Sequence, residues 1–261
     1  MTTGLHLERV SNLRDLGGLP TGDGRRVVPG RIYRSGSLHE MTEADRRALE
    51  SWRVRTVVDL RSAWEQRLHP FEWPAGKLVA APLASDEAVA GIFSRFLSGA
   101  LTESEMADWW ATTGVFDAPA RYPESVRAVF AALLEAAPGE AVLFHCTGGK
   151  DRTGAVSALV LRALGATPEA IVADFVASNG ALATPERLEE LAARLNQGRT
   201  QPLTPEALFA LSGVRGEWLE VMFGRLAARF GSVEAYLAEA LGVGAAESAL
   251  LRARYLEPTA G

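Results

Sequence analysis

The chain has 261 residues, a formal net charge of −5 at pH 7, 48% hydrophobic residues and 23% charged residues. This balance is typical of a globular protein and excludes a disordered chain, which would be short of apolar residues. The acidic charge argues against general nucleic-acid binding, and no apolar run in the sequence approaches the ~18 residues of a membrane span.

The first 18 residues contain no basic segment followed by an apolar stretch, so no secretory signal is visible. A cytoplasmic location is therefore predicted, with secretion without a recognisable signal left open. No repeat or low-complexity linker divides the chain, which favours a single domain over residues 1–261. The sequence gives no indication of the oligomeric state.

Short apolar strands and amphipathic helices alternate through the first part of the chain. A helix capped by Thr42 is predicted to run to Trp52, and a second helix is predicted over residues 122–137. Strands are predicted at residues 55–60, 77–82 and 141–145. This alternation predicts an α/β fold with a central, mostly parallel sheet flanked by helices.

From about residue 155 onward the pattern is mostly helical. The sequence Thr-Pro-Glu occurs at three predicted helix N-termini, beginning at Thr167, Thr184 and Thr204. In each, the threonine can cap the helix and the proline occupies the first helical position. After Thr184, an apolar stripe at helical spacing, formed by Leu188, Leu191, Ala192 and Leu195, must cover either the core or the mouth of an active site. Residues 184–212 are therefore a candidate helical lid, and the alternative is that these helices pack only on the core.

The most informative segment surrounds the single cysteine and reads FHCTGGKDRTG at residues 144–154. It follows an apolar strand and precedes a helix predicted from Thr153 to Leu164; we call residues 146–152 the cysteine loop. Such a loop collects backbone N–H groups at the positive end of a helix dipole, so it binds anions. The predicted phosphate-binding residues are Thr147, Gly148, Gly149, Lys150 and Thr153.

Cys146 stands where its sulfur would face this anion site. The helix dipole and nearby cations favour the thiolate, so a substantial thiolate fraction is expected near neutral pH. Arg152, six residues later, carries a planar fork that can clamp two oxygens of a tetrahedral oxyanion. Together these residues predict phosphoryl transfer to sulfur, with Thr153 assisting the departure of the sulfur. The plain alternative is an inert buried cysteine beside a tight turn.

The string His-Cys-x-x-Gly-Lys-x-Arg-Thr-Gly resembles the signature loop of the cysteine-dependent protein tyrosine phosphatases. Its Lys-Asp pair resembles that of the bacterial tyrosine-protein phosphatases of the tyrosine phosphatase family 3 type, a group that includes a member with dual protein and phosphoinositide activity. Four further segments resemble that family: NLRDLGG at 12–18, YRSGSL at 33–38, DLRS at 59–62 with Glu65, and residues 230–237. The resemblance spans nearly the whole chain, implies a tyrosine-phosphatase-like fold, and implies a mobile helical lid near residues 184–212.

For two of these segments, the residue types alone also suggest a structural role. The polar side chains of residues 12–15 can form a network, or they belong to a structural turn near the edge of the sheet. Asp59 ends a predicted strand, where ligands gather in open parallel sheets. It is expected to orient the loop arginine, to pair with Arg34 or Arg61, or to act directly in catalysis.

The sequence offers several candidates for the proton donor to the leaving group. Relatives outside this branch carry an aspartate on a Trp-Pro-Asp loop, whereas this chain has Ala75 at that position. Asp151 is the preferred acid, because an adjacent thiolate and a bound anion favour its protonated form. Asp86 is the next candidate and Asp117 the third. For Asp151 the alternative is a salt bridge with a loop arginine.

The sequence thus predicts a phosphomonoester hydrolase that works through a phosphocysteine intermediate, with neither a metal nor a cofactor. A phosphotyrosine protein is the favoured substrate, and a phosphoinositide or dual-specificity activity is the alternative, suggested by the added charge of Lys150. A silent phosphate-binding module is disfavoured because nucleophile and clamp are both present. Sulfur or arsenate chemistry is disfavoured because a second reactive thiol is absent from the chain.

Overall fold

The computed structural model describes residues 5–85, 91, 95, 102, 105, 116–197, 199 and 202–258. Within them the chain forms a five-stranded sheet with helices on both faces. The predicted α/β class with a mostly parallel sheet is confirmed. In this described part of the chain, no helix is both long enough and apolar enough to cross a membrane.

The sheet has the strand order β1-β2-β5-β3-β4. Only β1, at one edge, is antiparallel to its neighbour, and the remaining pairs are parallel. The strands are β1 Arg14–Asp15, β2 Ile32–Ser35, β3 Val54–Asp59, β4 Lys77–Ala80 and β5 Ala141–His145. The three strands predicted from apolar runs are therefore present, while β1 and β2 were not predicted as strands.

The register of the central strands determines where the functional loops meet. Ser35 at the end of β2 and Asp59 at the end of β3 both pair with His145 at the end of β5. The carboxyl ends of three neighbouring parallel strands therefore coincide. Because loops leaving such ends share one edge of the sheet, the cysteine loop lies against the segments that follow β2 and β3.

Helices follow most strands and make up nearly all of the C-terminal part. The first five are α1 Glu43–Ser51, α2 Ala63–Leu68, α3 Ala118–Arg121, α4 Pro123–Glu135 and α5 Asp151–Leu164. The rest are α6 Pro168–Val176, α7 Ser178–Leu182, α8 Pro185–Leu195, α9 Pro205–Ser212, α10 Glu217–Phe230, α11 Val233–Glu239 and α12 Ala245–Tyr255. The predicted helical C-terminal half is present.

The predicted helix caps are observed at the residues that the sequence indicated. Thr167, Thr184 and Thr204 each accept a hydrogen bond from the backbone N–H three residues later. Thr42 forms a capping box at the start of α1, and Gly165 ends α5 in the left-handed conformation. Each cap satisfies backbone groups that a helix terminus leaves without partners.

The core has two parts, one on each face of the sheet. In β5, Val142 and Phe144 pack against the larger cluster, which includes α4, α5 and the C-terminal helices. Ala141 and Leu143 pack on the opposite face, against α1 and the N-terminal segment. This alternation follows from the period-two geometry of a strand, and burial on both faces explains why β5 reads as a continuous apolar run.

Candidate active site

The cysteine loop joins the carboxyl end of β5 to the first turn of α5. Cys146 is a free thiol with only 3% of its surface exposed. Asp151 is the first residue of α5 and Lys150 precedes it, so the loop lies at the positive end of a 14-residue helix. Among the described residues, the backbone N–H groups of Thr147, Gly148 and Gly149 donate no hydrogen bond to another protein group. Such N–H groups suit an oxyanion.

Arg152 is fixed beside the loop by the carboxylate of Glu65, a residue for which the sequence predicted no role. Its Nη1 lies 2.6 Å from Oε2 of Glu65, and its Nη2 lies 3.0 Å from Oε1 of the same carboxylate. Nη2 also lies 3.3 Å from the Thr147 hydroxyl, which in turn donates to Glu65. This two-point pairing sets the orientation of the guanidinium plane.

Glu65 holds this position because it also caps its own helix. Its Oε2 accepts the N–H of Ser62 at 2.7 Å, and the Ser62 hydroxyl accepts the N–H of Glu65, which makes a capping box at the start of α2. Burial raises the pKa of Glu65, but hydrogen bonds and charge from Arg152 outweigh it and bring the pKa to about 2. The carboxylate is therefore ionised at neutral pH.

Arg152 is correspondingly held as a cation. Burial lowers its pKa, but the negative charge that Cys146 carries when it is ionised and the charge of Glu65 outweigh burial and keep the pKa above its usual value. A permanent guanidinium beside a thiol is the arrangement that binds an anionic substrate and stabilises charge in a transition state.

The backbone of the cysteine loop is held from its outer side by residues of the N-terminal segment and β2. The Asn12 amide donates to the carbonyl of Gly149 at 2.9 Å and to that of Gly148 at 3.2 Å. Nη2 of Arg34 donates to the Gly149 carbonyl at 2.7 Å. The predicted polar network of residues 12–15 thus reaches the loop through Asn12, while Asp15 accepts the N–H groups of the turn residues Gly17 and Gly30.

Lys150 points away from the loop toward α9. Its ammonium donates to the carbonyls of Leu211, at 2.9 Å, and Gly213, at 3.0 Å. It also lies 3.5 Å from Oδ2 of Asp151. Lys150 therefore connects the loop to the C-terminal end of α9, where carbonyl groups and the helix dipole favour a cation.

The three candidate acids have different surroundings. Asp151 is buried at the start of α5, next to Lys150. Asp117 forms an ion pair with Arg121, with 2.5 Å between Oδ2 and Nε. Asp86 lies outside the described residues.

Asp59 pairs with one of the two arginines considered from the sequence. Its carboxylate accepts from Nε and Nη2 of Arg61, the latter at 2.7 Å, and both side chains are buried. Nε2 of His145 lies 3.7 Å from Asp59. Burial lowers the pKa of His145 to about 4 despite the opposing effect of Asp59, so the imidazole next to Cys146 is neutral at pH 7. The Thr153 hydroxyl is buried and has no hydrogen-bond partner among the described residues.

A cavity of about 510 Å³ opens beside the loop, between Gly148 and α8. Arg187 and Arg194, both exposed on α8, line it together with Lys150, and Glu190 adds one opposite charge. The apolar stripe of α8 packs partly buried against the main core, although no residue of α8 is fully buried. Among the described residues, no group of three or more His, Cys, Asp or Glu side chains is placed to hold a metal ion.

Comparison with known proteins identifies relatives along almost the entire chain. Residues 5–257 match the sequence model of the tyrosine phosphatase family. A Cupriavidus necator protein named as a tyrosine-protein phosphatase is 34% identical, over 97% of this chain and 88% of that protein. The triple specificity protein phosphatase PtpB of Mycobacterium tuberculosis is 31% identical, over 88% of this chain and 91% of that protein. A tyrosine-protein phosphatase of Nostoc commune is 25% identical, over 87% of this chain and 75% of that protein.

Proposed function

Because the chain belongs to the tyrosine phosphatase family, we propose that it is a cysteine-dependent protein-tyrosine phosphatase acting through a phosphocysteine intermediate. The observation that carries the mechanism is the pairing of a single thiol at the end of β5 with an arginine held bidentate by Glu65. A phosphorylated protein is the substrate, and the proposed location is the cytoplasm.

In the proposed first step, the Cys146 thiolate attacks phosphorus and the bond from phosphorus to the tyrosyl oxygen breaks. Arg152 and the loop N–H groups bind the non-bridging oxygens, on which negative charge is spread during the transfer. A protonated acid gives its proton to the leaving oxygen. In the second step, water attacks phosphorus and gives a proton to the same acid, now ionised. The sulfur–phosphorus bond breaks and the thiolate is restored, with Thr153 as a hydrogen-bond donor to the departing sulfur.

Asp151 is the proposed acid. Its support is its place within the active-site segment, buried and one residue from Arg152. Asp86 is retained as the second candidate, and Asp117 is less favoured because its carboxylate is paired with Arg121. Asp59 is proposed as a supporting residue, since its carboxylate is occupied by Arg61.

Phosphoinositides are a second candidate substrate class. The cavity beside Gly148 favours them, because the exposed Arg187 and Arg194 line it and a phosphoinositide carries more than one phosphate. The Mycobacterium tuberculosis relative is named a triple specificity phosphatase, which is a statement about that protein.

Residues 184–212 are proposed as a lid over this site. Support comes from α8 and α9, which line the cavity next to the loop, and from the hydrogen bonds of Lys150 to Leu211 and Gly213. The whole of residues 1–261 is proposed as one phosphatase domain.

The deciding experiment is a phosphate-release panel with phosphotyrosine peptide, phosphoserine peptide and phosphoinositide vesicles, using wild type and Cys146→Ser. We expect the highest kcat/KM on phosphotyrosine and no turnover by Cys146→Ser, because serine is not ionised at neutral pH. Phosphate binding without turnover on every substrate would instead support the silent binding module. Activity of Cys146→Ser close to wild type would rule out the thiolate mechanism.

A further inference from the structure

We infer that Asn12 and Arg34, which lie outside the cysteine loop, are positioning residues that orient the peptide N–H groups of the loop toward bound phosphate. This inference rests on the proposed function, because it concerns the same anion site. It goes beyond the loop itself, since it assigns the shape of the site to side chains more than 100 residues away in the sequence.

A trans peptide is planar, and its carbonyl oxygen and the following N–H point in opposite directions. Four successive loop carbonyls have donors outside the loop. The N–H of Ser37 holds the Thr147 carbonyl at 2.9 Å, and Asn12 holds that of Gly148. The other two carbonyls, those of Gly149 and Lys150, accept from Arg34, and the first of them also accepts from Asn12.

Fixing a carbonyl on the outer side of the loop turns the next N–H toward the inner side. The four anchored carbonyls therefore orient the N–H groups of residues 148–151 together. Gly149 adopts φ +65, as expected for a loop that curls its N–H groups around an anion. A Cβ there would lie 2.4 Å from the backbone of Ser35 and Gly36, so the loop is seated directly on the end of β2.

Asp174 on α6 fixes the donors themselves. Its Oδ2 lies 2.6 Å from Nη1 of Arg34, and its Oδ1 lies 2.7 Å from Nε of Arg14. Arg14 in turn donates to Oδ1 of Asn12 at 2.6 Å, which leaves the Asn12 amide nitrogen directed at the loop. Ser178 accepts from both Asn12 and Arg14. One buried carboxylate thus sets both side chains that contact the loop carbonyls.

The charges of this network are consistent with that role. Arg34 is fully buried, and burial lowers its pKa to about 10 against the opposing effect of Asp174. Burial raises the pKa of Asp174, but the charges of Arg34 and Arg14 outweigh it and keep that pKa below the usual value. Both groups are therefore charged at neutral pH, and hydrogen bonds to charged groups are shorter and stronger than neutral ones.

The inference can be tested at Asn12, whose backbone is in the left-handed region with φ +53. Glycine adopts this conformation without strain, so Asn12→Gly removes the amide without disturbing the backbone. Asn12→Asp keeps the shape and the partner of Arg14 but cannot donate to a carbonyl. The matched control is Asp23→Asn, which breaks an exposed aspartate–arginine pair in the same N-terminal segment.

The experiment measures the Kd of inorganic phosphate by calorimetry, together with kcat, KM and the thermal midpoint. We expect Asn12→Gly and Asn12→Asp each to weaken phosphate binding and to lower kcat by about tenfold or more, as when an oxyanion donor is removed. Arg34→Lys should show the same pattern, because a single ammonium cannot hold both Asp174 and the loop carbonyls. Asp23→Asn should match wild type.

A phosphate Kd within twofold of wild type in both Asn12 variants would overturn the inference. A lower thermal midpoint with unchanged Kd and kcat would also overturn it, because that result describes a residue important only for stability. Since calorimetry does not need turnover, wild type that binds phosphate without hydrolysing any substrate would count against the proposed function alone.

Discussion

Glu65 connects the local structure of α2 to the orientation of Arg152, the arginine that the proposed mechanism requires. Its carboxylate caps its own helix and also accepts two hydrogen bonds from the guanidinium of Arg152. Such a residue is ionised in the folded protein over a wider pH range than in the unfolded chain. Its effect should therefore be measurable as a dependence of stability on pH.

Burial raises the pKa of Glu65, but the hydrogen bonds and charge of Arg152 outweigh burial and bring the pKa from its usual 4.5 to about 2. A depressed folded-state pKa contributes stability that is fully present above pH 4.5 and is lost as the pH falls toward 2. In Glu65→Gln, the free energy of unfolding should therefore fall less over this window than in wild type. Chemical denaturation at a series of pH values measures it.

The control for that measurement is Glu135→Gln, because Glu135 forms an exposed pair with Lys77 and exposed pairs contribute little. Its pH dependence should follow that of wild type. Equal pH dependence in wild type and Glu65→Gln would show that the carboxylate is not preferentially ionised in the folded state.

The sequence predicted the residues of the loop but not the side chains that hold it. Cys146 and Arg152 stand in one short segment with a characteristic spacing, so the sequence alone is enough to propose them as site residues. Glu65, Asn12 and Arg34 act through contacts between distant parts of the chain, and a charged residue alone does not reveal whether it is buried. The capping pattern Ser62-x-x-Glu65 was the one local signal for Glu65.

Among the elements, capping and burial explain which ones the sequence predicted. The Thr-Pro-Glu caps of α6, α8 and α9 are local patterns, and the structure confirms all three. Strand β2 was missed because Arg34 and Ser35 are polar although both are fully buried. Buried strands are recognised in a sequence by a run of apolar residues. A strand with buried polar residues lacks such a run.

Helix α8 gives a prediction about oxidation. A thiolate oxidises readily, and the chain has no second cysteine to trap the sulfenate as an internal disulfide. If α8 covers the site, replacing the stripe residues Leu191 and Leu195 by serine should loosen it. We expect peroxide to inactivate this variant several-fold faster than wild type, and bulky substrates to gain in kcat/KM.

The control for this experiment is Leu250→Ser, which changes an exposed leucine on α12. Circular dichroism identifies lid variants that remain folded, and inactivation rates are compared only among those. A folded α8 variant that loses activity to peroxide no faster than wild type would contradict a shielding role for this helix.

For the whole molecule, the shared carboxyl ends of β2, β3 and β5 explain why the site forms where it does. The alternation of strands and helices predicted the sheet class. It did not predict the antiparallel β1, a two-residue strand whose sequence carries no alternation to detect. The sequence did not determine which of the three aspartates is the proton donor. That role depends on proximity to the substrate, and spacing in the chain does not show proximity.

The chemistry of the whole enzyme should not depend on a divalent metal, because thiolate, arginine and loop N–H groups together supply the nucleophile and the charge stabilisation. We expect EDTA to leave kcat/KM unchanged, while vanadate and phosphate inhibit competitively as tetrahedral oxyanions. Initial rates over a range of substrate concentrations measure both effects. Activity lost on chelation and restored by one specific divalent ion would overturn this expectation.

The central claim, a covalent phosphocysteine, is tested most directly by trapping it. Wild type is mixed with radiolabelled phosphotyrosine substrate, quenched in acid within milliseconds, digested and mapped by mass spectrometry. The account predicts that the label is attached to Cys146, through a thiophosphate bond, and that Cys146→Ser carries none. Label on another residue, or turnover with an initial burst of product but no label on Cys146, would contradict it.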